Sequence, residues 1–184
     1  MKDQLIVVDC QYDFITGSLA CLNAIDAIDW IIKYINHNDV EVFYSMDWHN
    51  KTNKSFVENG GIWPPHCVKN TKGSKLHKDF YEKILDNRNK PNVENMYYKG
   101  KDDFVEEYSV YNALNERGET LSTNINEKVI ITGIASEFCV RESVLEFLND
   151  KKEVYIISQA LGYVKEEEHK KNLQELLILG AKLI

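Results

Sequence analysis

Short, unbroken apolar runs are the feature of this sequence that most restricts its fold. Residues 5–8 (LIVV) and 129–131 (VII) are continuous and rich in β-branched side chains, which is typical of strands buried on both faces of a sheet. Further strands are predicted at residues 40–46, 96–98, 154–157 and 181–184. A strand with no exposed face must be covered on both sides, so these runs favour a layered fold.

Segments with helical periodicity lie between these strands. The clearest is residues 23–38, where the apolar side chains share one helical face, and others are predicted at residues 76–85, 111–116, 136–148 and 166–179. Residues 48–74 form a long loop, and residues 119–126 fit no pattern. Strands that alternate with helices predict parallel pairing through right-handed crossovers. We therefore expect one three-layer α/β/α domain over residues 1–184, with a central, mostly parallel sheet.

The charge balance argues against nucleic acid or a membrane as a partner. Lys and Arg total 22 against 29 Asp and Glu, a net charge of −7, with no basic stripe. No apolar run approaches the roughly 20 residues of a membrane span, and the first strand begins too early for a signal peptide. The four cysteines show no CxxC pair, so we expect a reducing cytoplasmic location. The sequence leaves open whether the chain forms a homo-oligomer.

The segment KVIITGIASEFCVRESVLEFL (128–148) indicates a nucleophile at the start of a helix. A buried strand breaks at Gly133, Ser136 is a candidate N-cap, and Cys139 falls in the first helical turn. Free N–H groups and the helix dipole at that position are expected to lower the pKa of a thiol and to stabilise an oxyanion. The alternative is a buried structural cysteine, which is the commoner role of a free cysteine.

Charged side chains follow three of the other predicted strands. Asp9 follows residues 5–8, Asp47 follows residues 40–46, and Lys99 follows residues 96–98. In a parallel sheet these strand ends share one edge with the turn before Cys139, and ligands bind at that edge. Asp9 could act as the base for a thiol with a lysine beside it, although Lys101 is as eligible as Lys99 on this argument.

Asp47, His49 and His66 form a candidate metal site. One carboxylate and two imidazoles suit zinc, manganese or iron and leave coordination positions open. The alternative is that Asp47 caps a loop and that both histidines are exposed. A flat substrate could be enclosed by the aromatic side chains of Phe14, Trp63 and Tyr108. The remaining histidines, His37, His77 and His169, are interpreted as surface residues.

Six segments resemble the nicotinamidase/pyrazinamidase branch of the isochorismatase-like cysteine hydrolases. In chain order they are VVDCQYDFITGSLA (7–20), DWHNKTNKSF (47–56), WPPHCVKNTKGSKLH (63–77), KG (99–100), EYSVY (107–111) and TGIASEFCV (132–140). The resemblance runs from Leu5 nearly to the end of the chain. Their order and consistent spacing make the resemblance much more specific than any one segment would.

The resemblance implies an activity and a role for each candidate residue. It implies a catalytic triad of Asp9, Lys99 and Cys139, which selects Lys99 over Lys101, and hydrolysis of nicotinamide through a thioester, with pyrazinamide as a second candidate substrate. It implies that Asp47, His49 and His66 hold a divalent metal, zinc first, that binds the ring nitrogen of the substrate. It also implies an oxyanion hole at the N–H groups of Ala135 and Cys139, a cis peptide between Ile134 and Ala135, and a substrate pocket formed by Phe14, Trp63, Tyr108 and Ile134.

The chain departs from the family pattern at the metal site. Many relatives carry a further histidine where Asn53 stands, so the fourth ligand could be Asn53, Glu58 or water. Two other functions stay open. One is a related cysteine hydrolase that acts on another small amide, an N-carbamoyl compound or a ureido acid. The other is a metal-binding module that has kept the fold without turnover.

Overall fold

The computed structural model describes residues 2–184 and places one six-stranded sheet between two helical layers. The strands are β1 (Asp3–Val8), β2 (Val40–Asp47), β3 (Met96–Lys99), β4 (Lys128–Gly133), β5 (Glu153–Leu161) and β6 (Lys182–Leu183). They lie in the order β3-β2-β1-β4-β5-β6, and every neighbouring pair is parallel. The predicted α/β class and three-layer architecture are confirmed, and the sheet is parallel throughout.

Within residues 2–184, five α-helices connect the strands, together with shorter turns. They are α1 (Tyr12–Ile15), α2 (Ala24–His37), α3 (Asp79–Glu82), α4 (Arg141–Asn149) and α5 (Glu166–Ile178). The shorter turns are 3₁₀ turns at Val57–Asn59, Asn87–Asn89 and Leu121–Asn124, and a π-helical turn at Ser136–Val140. None of the helices in residues 2–184 is long and apolar enough to cross a membrane.

Successive residues of β1 contribute to different cores. Leu5 and Val7 belong to the core that includes the apolar face of α2, whereas Ile6 and Val8 belong to the core that includes α4. Because side chains alternate across a strand, a continuous apolar run fills both cores at once. The unbroken runs of the sequence therefore occupy the centre of the sheet.

The strand order brings the charged strand ends together. β1 lies between β2 and β4, and Asp47 at the end of β2 is paired in register with Lys99 at the end of β3. Asp9 follows β1 directly, and the last pair between β1 and β4 is Val8 with Gly133. Chain connections leave in opposite directions from β1 and β4, which is where open α/β sheets form their binding crevice.

Two predicted helices are shortened or absent because other groups bind their backbone. Residues 76–85 form only the four-residue α3, since the side chain of Asn36 binds Lys83 O at 3.0 Å and Leu85 N at 2.9 Å in place of helical bonds. Residues 111–116 form no helix because Leu114 pairs with Tyr98 at the edge of the sheet, at 2.9 and 3.0 Å. These contacts join residues distant in sequence, so local periodicity does not reveal them.

Candidate active site

Asp9, Lys99 and Cys139 meet at the carboxyl edge of the sheet. Lys99 Nζ lies 2.8 Å from Asp9 Oδ2 and 3.5 Å from Cys139 Sγ, and it also contacts Asp47 Oδ1. The three residues are 0, 2 and 5% exposed. Lys101 is exposed and lies over the ring of Tyr98 instead. Lys99 is thus the lysine that joins this cluster.

Backbone and hydroxyl contacts fix the position of Asp9. The residue has a left-handed φ of +46°, which turns the chain sharply as β1 ends. Ser45 Oγ accepts from the Asp9 N–H at 3.2 Å and donates to Asp9 Oδ1 at 2.6 Å. One carboxylate oxygen is therefore bound to Ser45, and the other faces Lys99.

Burial sets the protonation of the cluster. It raises the pKa of Asp9, although Lys99 opposes the rise. It also raises the pKa of Cys139 well above its usual value, against the opposing charge of Lys99 and with reinforcement from Asp9. Burial would lower the pKa of Lys99, but Asp47 and Asp9 reverse that effect and keep it charged. The pKa of Cys139 is shifted upward, toward the thiol, so the prediction of a lowered pKa at this helix start is wrong.

The turn that carries Cys139 is a π-helical turn that continues into α4. The Ala135 carbonyl accepts from the N–H groups of Phe138 and Val140, both at 3.1 Å, and the N–H of Cys139 between them is not bound there. Among residues 2–184, no backbone carbonyl accepts from the Ala135 N–H, and the Ile134–Ala135 peptide is cis as the resemblance implied. Ala135 and Cys139 both line the adjoining cavity.

Two side chains of α5 bind Ser136, the first residue of this turn. His169 Nδ1 lies 2.7 Å from Ser136 Oγ, and Asn172 donates to the Ser136 carbonyl at 2.7 Å. The sequence predicts Ser136 as an N-cap and His169 as a surface residue, and both predictions are wrong. The Ser136 hydroxyl makes no capping bond because it is bound by α5, and His169 is buried against the stacked ring of Tyr163. The three-residue spacing of His169 and Asn172 puts both on one helical face, and this was the sequence signal that they could bind the same partner.

Burial of His169 predicts a pH-dependent loss of stability. Burial lowers its pKa below the ordinary value of 6.5, so the unfolded chain binds the proton more tightly than the folded chain does. The contribution of neutral His169 to the free energy of unfolding is complete above pH 6.5 and is lost as the pH falls below that value. The free energy of unfolding, measured with urea, should fall less between pH 7.5 and pH 5.5 in His169→Gln than in wild type. The exposed His37→Gln should keep the wild-type drop, and an equal drop in all three proteins would contradict the prediction.

Asp47, His49 and His66 form a buried group of possible metal ligands. His49 Nε2 lies 3.5 Å and His66 Nε2 3.9 Å from Asp47 Oδ2, and ligand atoms of the three residues lie within 4.8 Å of one another. The Nδ1 atoms are 2.8 Å from the carbonyls of Gly100 and Pro64, which fixes both rings with Nε2 toward Asp47. Burial would raise the pKa of Asp47, but Lys99 and His49 lower it below its usual range. This donor set fits a divalent cation such as zinc.

The two candidates for a fourth ligand are placed differently. Asn53 lines the cavity, but its amide nitrogen lies 3.2 Å from His49 Nδ1, on the side of the ring away from Asp47, and its Oδ1 accepts from Ser55 N at 2.9 Å. Because the His49 Nδ1–H donates to the Gly100 carbonyl, this nitrogen cannot accept from Asn53, and the Asn53 amide donates to the Asp102 carbonyl at 3.2 Å instead. Glu58 is exposed on the 3₁₀ turn Val57–Asn59 and does not line the cavity, so its assignment as a ligand is wrong. The path of the loop sets the positions of Asn53 and Glu58, and the spacing of residues in the sequence does not predict that path.

Gly100 controls the position of His49, and its replacement is expected to weaken metal binding. A Cβ at Gly100 would lie 2.4 Å from His49 Cε1, so Gly100→Ala must displace the ring. We expect Zn²⁺ affinity to fall about 10- to 100-fold, measured by competition with a chromogenic chelator. Gly118→Ala is the matched control, because Gly118 shares a left-handed φ of +79° but has no atom within 4 Å of its Cβ position. Equal affinities in the two variants would contradict this role.

A cavity of about 250 Å³ opens over Cys139 and the possible metal ligands. Phe14, Trp63 and Tyr108 line it as the sequence predicts. Ile134 does not, because its side chain is fully buried in the core against Gly162, so its assignment to the substrate pocket is wrong. Other lining residues that sequence reasoning missed include Leu19, Cys21, Glu106, Phe138 and Val164. Only Phe138 had a clear signal in the sequence, since it adjoins Cys139.

Comparison with known proteins identifies a family and several relatives of the same fold. An isochorismatase domain model matches residues 3–184. The nicotinamidase of Escherichia coli (strain K12) is 25% identical over 178 residues, which cover 84% of this chain and 80% of that protein. The crystal structure of the pyrazinamidase of Pyrococcus horikoshii in complex with zinc has a TM-score of 0.83 and 30% identity, covering 100% of this chain and 99% of that one. PnC1 from L. infantum, in complex with nicotinate, has a TM-score of 0.84 and 26% identity, covering 100% and 92%.

The match is not confined to the residues around the cavity. It begins at the first residue of β1 and continues through β6 to the last residue of the chain. Because sequence and fold agree over this whole length, the chain belongs to the isochorismatase domain family.

Proposed function

We propose that the protein hydrolyses nicotinamide to nicotinate and ammonia, with Cys139 as the nucleophile. The observation that carries this proposal is the contact of Lys99 with Asp9 and Cys139 at the base of a small, aromatic-walled cavity. The same cavity holds Asp47, His49 and His66, whose donor atoms suit a cation that binds a pyridine nitrogen. The nicotinamidase and pyrazinamidase names of the similar proteins support this choice of substrate.

The attack on the carboxamide carbon is coupled to removal of the thiol proton. Because burial keeps Cys139 as a thiol and raises the pKa of Asp9, the Asp9 carboxylate is the base that takes this proton as the C–S bond forms. Lys99 lies against both groups and stabilises the negative charge during the transfer. The N–H groups of Ala135 and Cys139 donate to the oxyanion. Each donor of this kind stabilises the transition state by about 3 kcal/mol.

The second half of the reaction returns the proton and releases the acid. Asp9 donates the proton to the amide nitrogen, the C–N bond breaks, and ammonia leaves a thioester on Cys139. Water then attacks the thioester carbonyl while Asp9 takes a proton from it, and the C–S bond breaks to release the carboxylic acid. Cys139 recovers its proton, so the net change is addition of water across the amide bond.

Asp47, His49 and His66 would hold the divalent metal, with zinc as the first candidate and manganese or iron as alternatives. When bound, the metal would supply a Lewis acid for the ring nitrogen of the substrate and would orient the carboxamide toward Cys139. Contacts within the chain would keep Asp47 in the ionised form that binds a metal. Lys99 binds one oxygen of Asp47 and leaves Oδ2 facing both imidazoles, which keeps Asp47 ionised as a ligand.

Ammonia release from nicotinamide by the purified protein tests this function. We expect turnover of nicotinamide, weaker or comparable turnover of pyrazinamide, and none of N-carbamoyl amino acids. Chelation should reduce the activity, and Zn²⁺ or Mn²⁺ should restore it. If the metal-restored protein releases no ammonia from nicotinamide but hydrolyses the N-carbamoyl compound, the substrate assignment is wrong. If it binds nicotinamide and metal without turnover of any amide, the protein is not an amidase.

A further inference from the structure

One wall of the cavity is built from three aromatic side chains. The rings of Trp63 and Phe138 are 5.4 Å apart at an interplanar angle of 87°, and the rings of Tyr108 and Phe138 are 6.1 Å apart. All three line the cavity. The wall combines Trp63 from the long loop, Tyr108 from residues 100–109, and Phe138 from the nucleophile turn, so no single element fixes its shape.

Glu106 accepts both polar hydrogens of this wall. Its Oε1 lies 2.7 Å from Trp63 Nε1 and 2.5 Å from the Tyr108 hydroxyl, and the Trp63 N–H also donates to the Tyr108 oxygen at 3.1 Å. Burial and the Glu106 carboxylate raise the pKa of Tyr108, which keeps its phenol protonated. With both hydrogens directed to Glu106, the wall offers a substrate its ring surfaces and no hydrogen-bond donor.

The backbone that carries Glu106 is anchored on both sides. The Asp103 side chain accepts from Asn50 at 2.9 Å and from Thr52 at 2.5 Å, which ties the loop to the residues after His49. On the other side, Glu107 accepts from the Gly100 N–H at 2.7 Å, and its carbonyl accepts from Lys99 at 3.2 Å. Glu106 therefore lies between two hydrogen-bonded residues, Asp103 and Glu107, although Glu106 itself is exposed at the rim of the cavity.

We propose that Glu106 is a positioning residue that holds Trp63 and Tyr108 in one aromatic wall and thereby selects flat, uncharged ring amides. Without this carboxylate the Tyr108 hydroxyl would lose its acceptor, and only the 3.1 Å contact between Trp63 Nε1 and the Tyr108 oxygen would join the two side chains. A ureido or N-carbamoyl compound, which needs donors and acceptors along its length, gains little from such a wall. The inference rests on the proposed function only for the choice of nicotinamide as the probe.

The test compares Glu106→Ala with Glu106→Gln, because glutamine keeps an acceptor oxygen at the same place without the charge. We expect Glu106→Ala to raise KM for nicotinamide about tenfold with kcat changed less than about threefold, and Glu106→Gln to restore KM to within about threefold of wild type. Glu116→Ala, an exposed acid outside the cavity, is the control and should match wild type. An unchanged KM in Glu106→Ala, or equal damage in the alanine and glutamine variants, would overturn the proposal.

A second readout does not depend on turnover. Glu106→Ala should shift the tryptophan emission of the ligand-free protein, and the shift should vanish when the same change is made in a Trp63→Phe background. If nicotinamide is not a substrate but this Trp63-dependent shift is present, the proposed function fails while the positioning role stands. If turnover is normal and the shift is absent, the positioning role fails.

Discussion

Cys139→Ala is expected to abolish ammonia release, with a fall in kcat of about 10⁴-fold or more. The thiol is the only sulfur in contact with Lys99 among residues 2–184, and Cys139 lines the same cavity as Ala135. Alanine removes the bond-forming atom and leaves Asp9 and Lys99 paired as before. Ammonia assays at enzyme concentrations high enough to detect a residual rate would measure the loss.

The matched control for this experiment is Cys21→Ala. Cys21 also lines the cavity, but burial raises the pKa of its thiol to about 12, and its Sγ donates to the Leu19 carbonyl at 3.4 Å. It has no contact with a base or with Lys99 among the described residues. We expect Cys21→Ala to retain turnover. Activity in Cys139→Ala, or its loss only in Cys21→Ala, would show that the nucleophile is misassigned.

The sequence predicts which edge of the sheet carries the candidate site because the strands there have recognisable apolar patterns. Runs rich in β-branched residues define β1 and β4, a segment with Val, Phe and Tyr defines β2, and the residue that follows each segment must lie at the carboxyl edge of a parallel sheet. That argument places Asp9, Asp47 and the turn before Cys139 together without any contact being known. Choosing Lys99 over Lys101 required the family resemblance, because both follow the same short strand.

What the sequence does not predict depends on contacts between distant segments. The direction of the Cys139 pKa shift depends on burial beside Asp9 and Asp47, and this outweighs the helix-start effect that a local pattern suggests. The exclusion of Glu58 and the placement of Asn53 depend on the path of an irregular loop. Hydrophobic periodicity also cannot show that a polar side chain such as His169 is buried by a partner 33 residues away.

Lys99→Met is expected to remove activity and to cost about 3–5 kcal/mol of unfolding free energy. Lys99 is 2% exposed, and its ammonium contacts Asp9 and Asp47, which are themselves buried. Methionine fills a similar volume but leaves two carboxylates in the interior without a cation. The loss should be measured by urea unfolding in metal-free buffer, since a bound cation would neutralise Asp47. Lys101→Met, at an exposed lysine two residues away, should leave both stability and turnover near wild type.

A double variant separates loss of charge from loss of packing. If the destabilisation of Lys99→Met comes from the unpaired carboxylates, then adding Asp9→Asn should recover part of it, because one of the two buried charges is then gone. Asp9→Asn alone should destabilise wild type, since it leaves Lys99 with one partner fewer. Additive losses in the double variant would mean that the two residues do not interact. Turnover should be absent from all three variants, because the proton path from Cys139 needs the Asp9 carboxylate and the adjoining cation together.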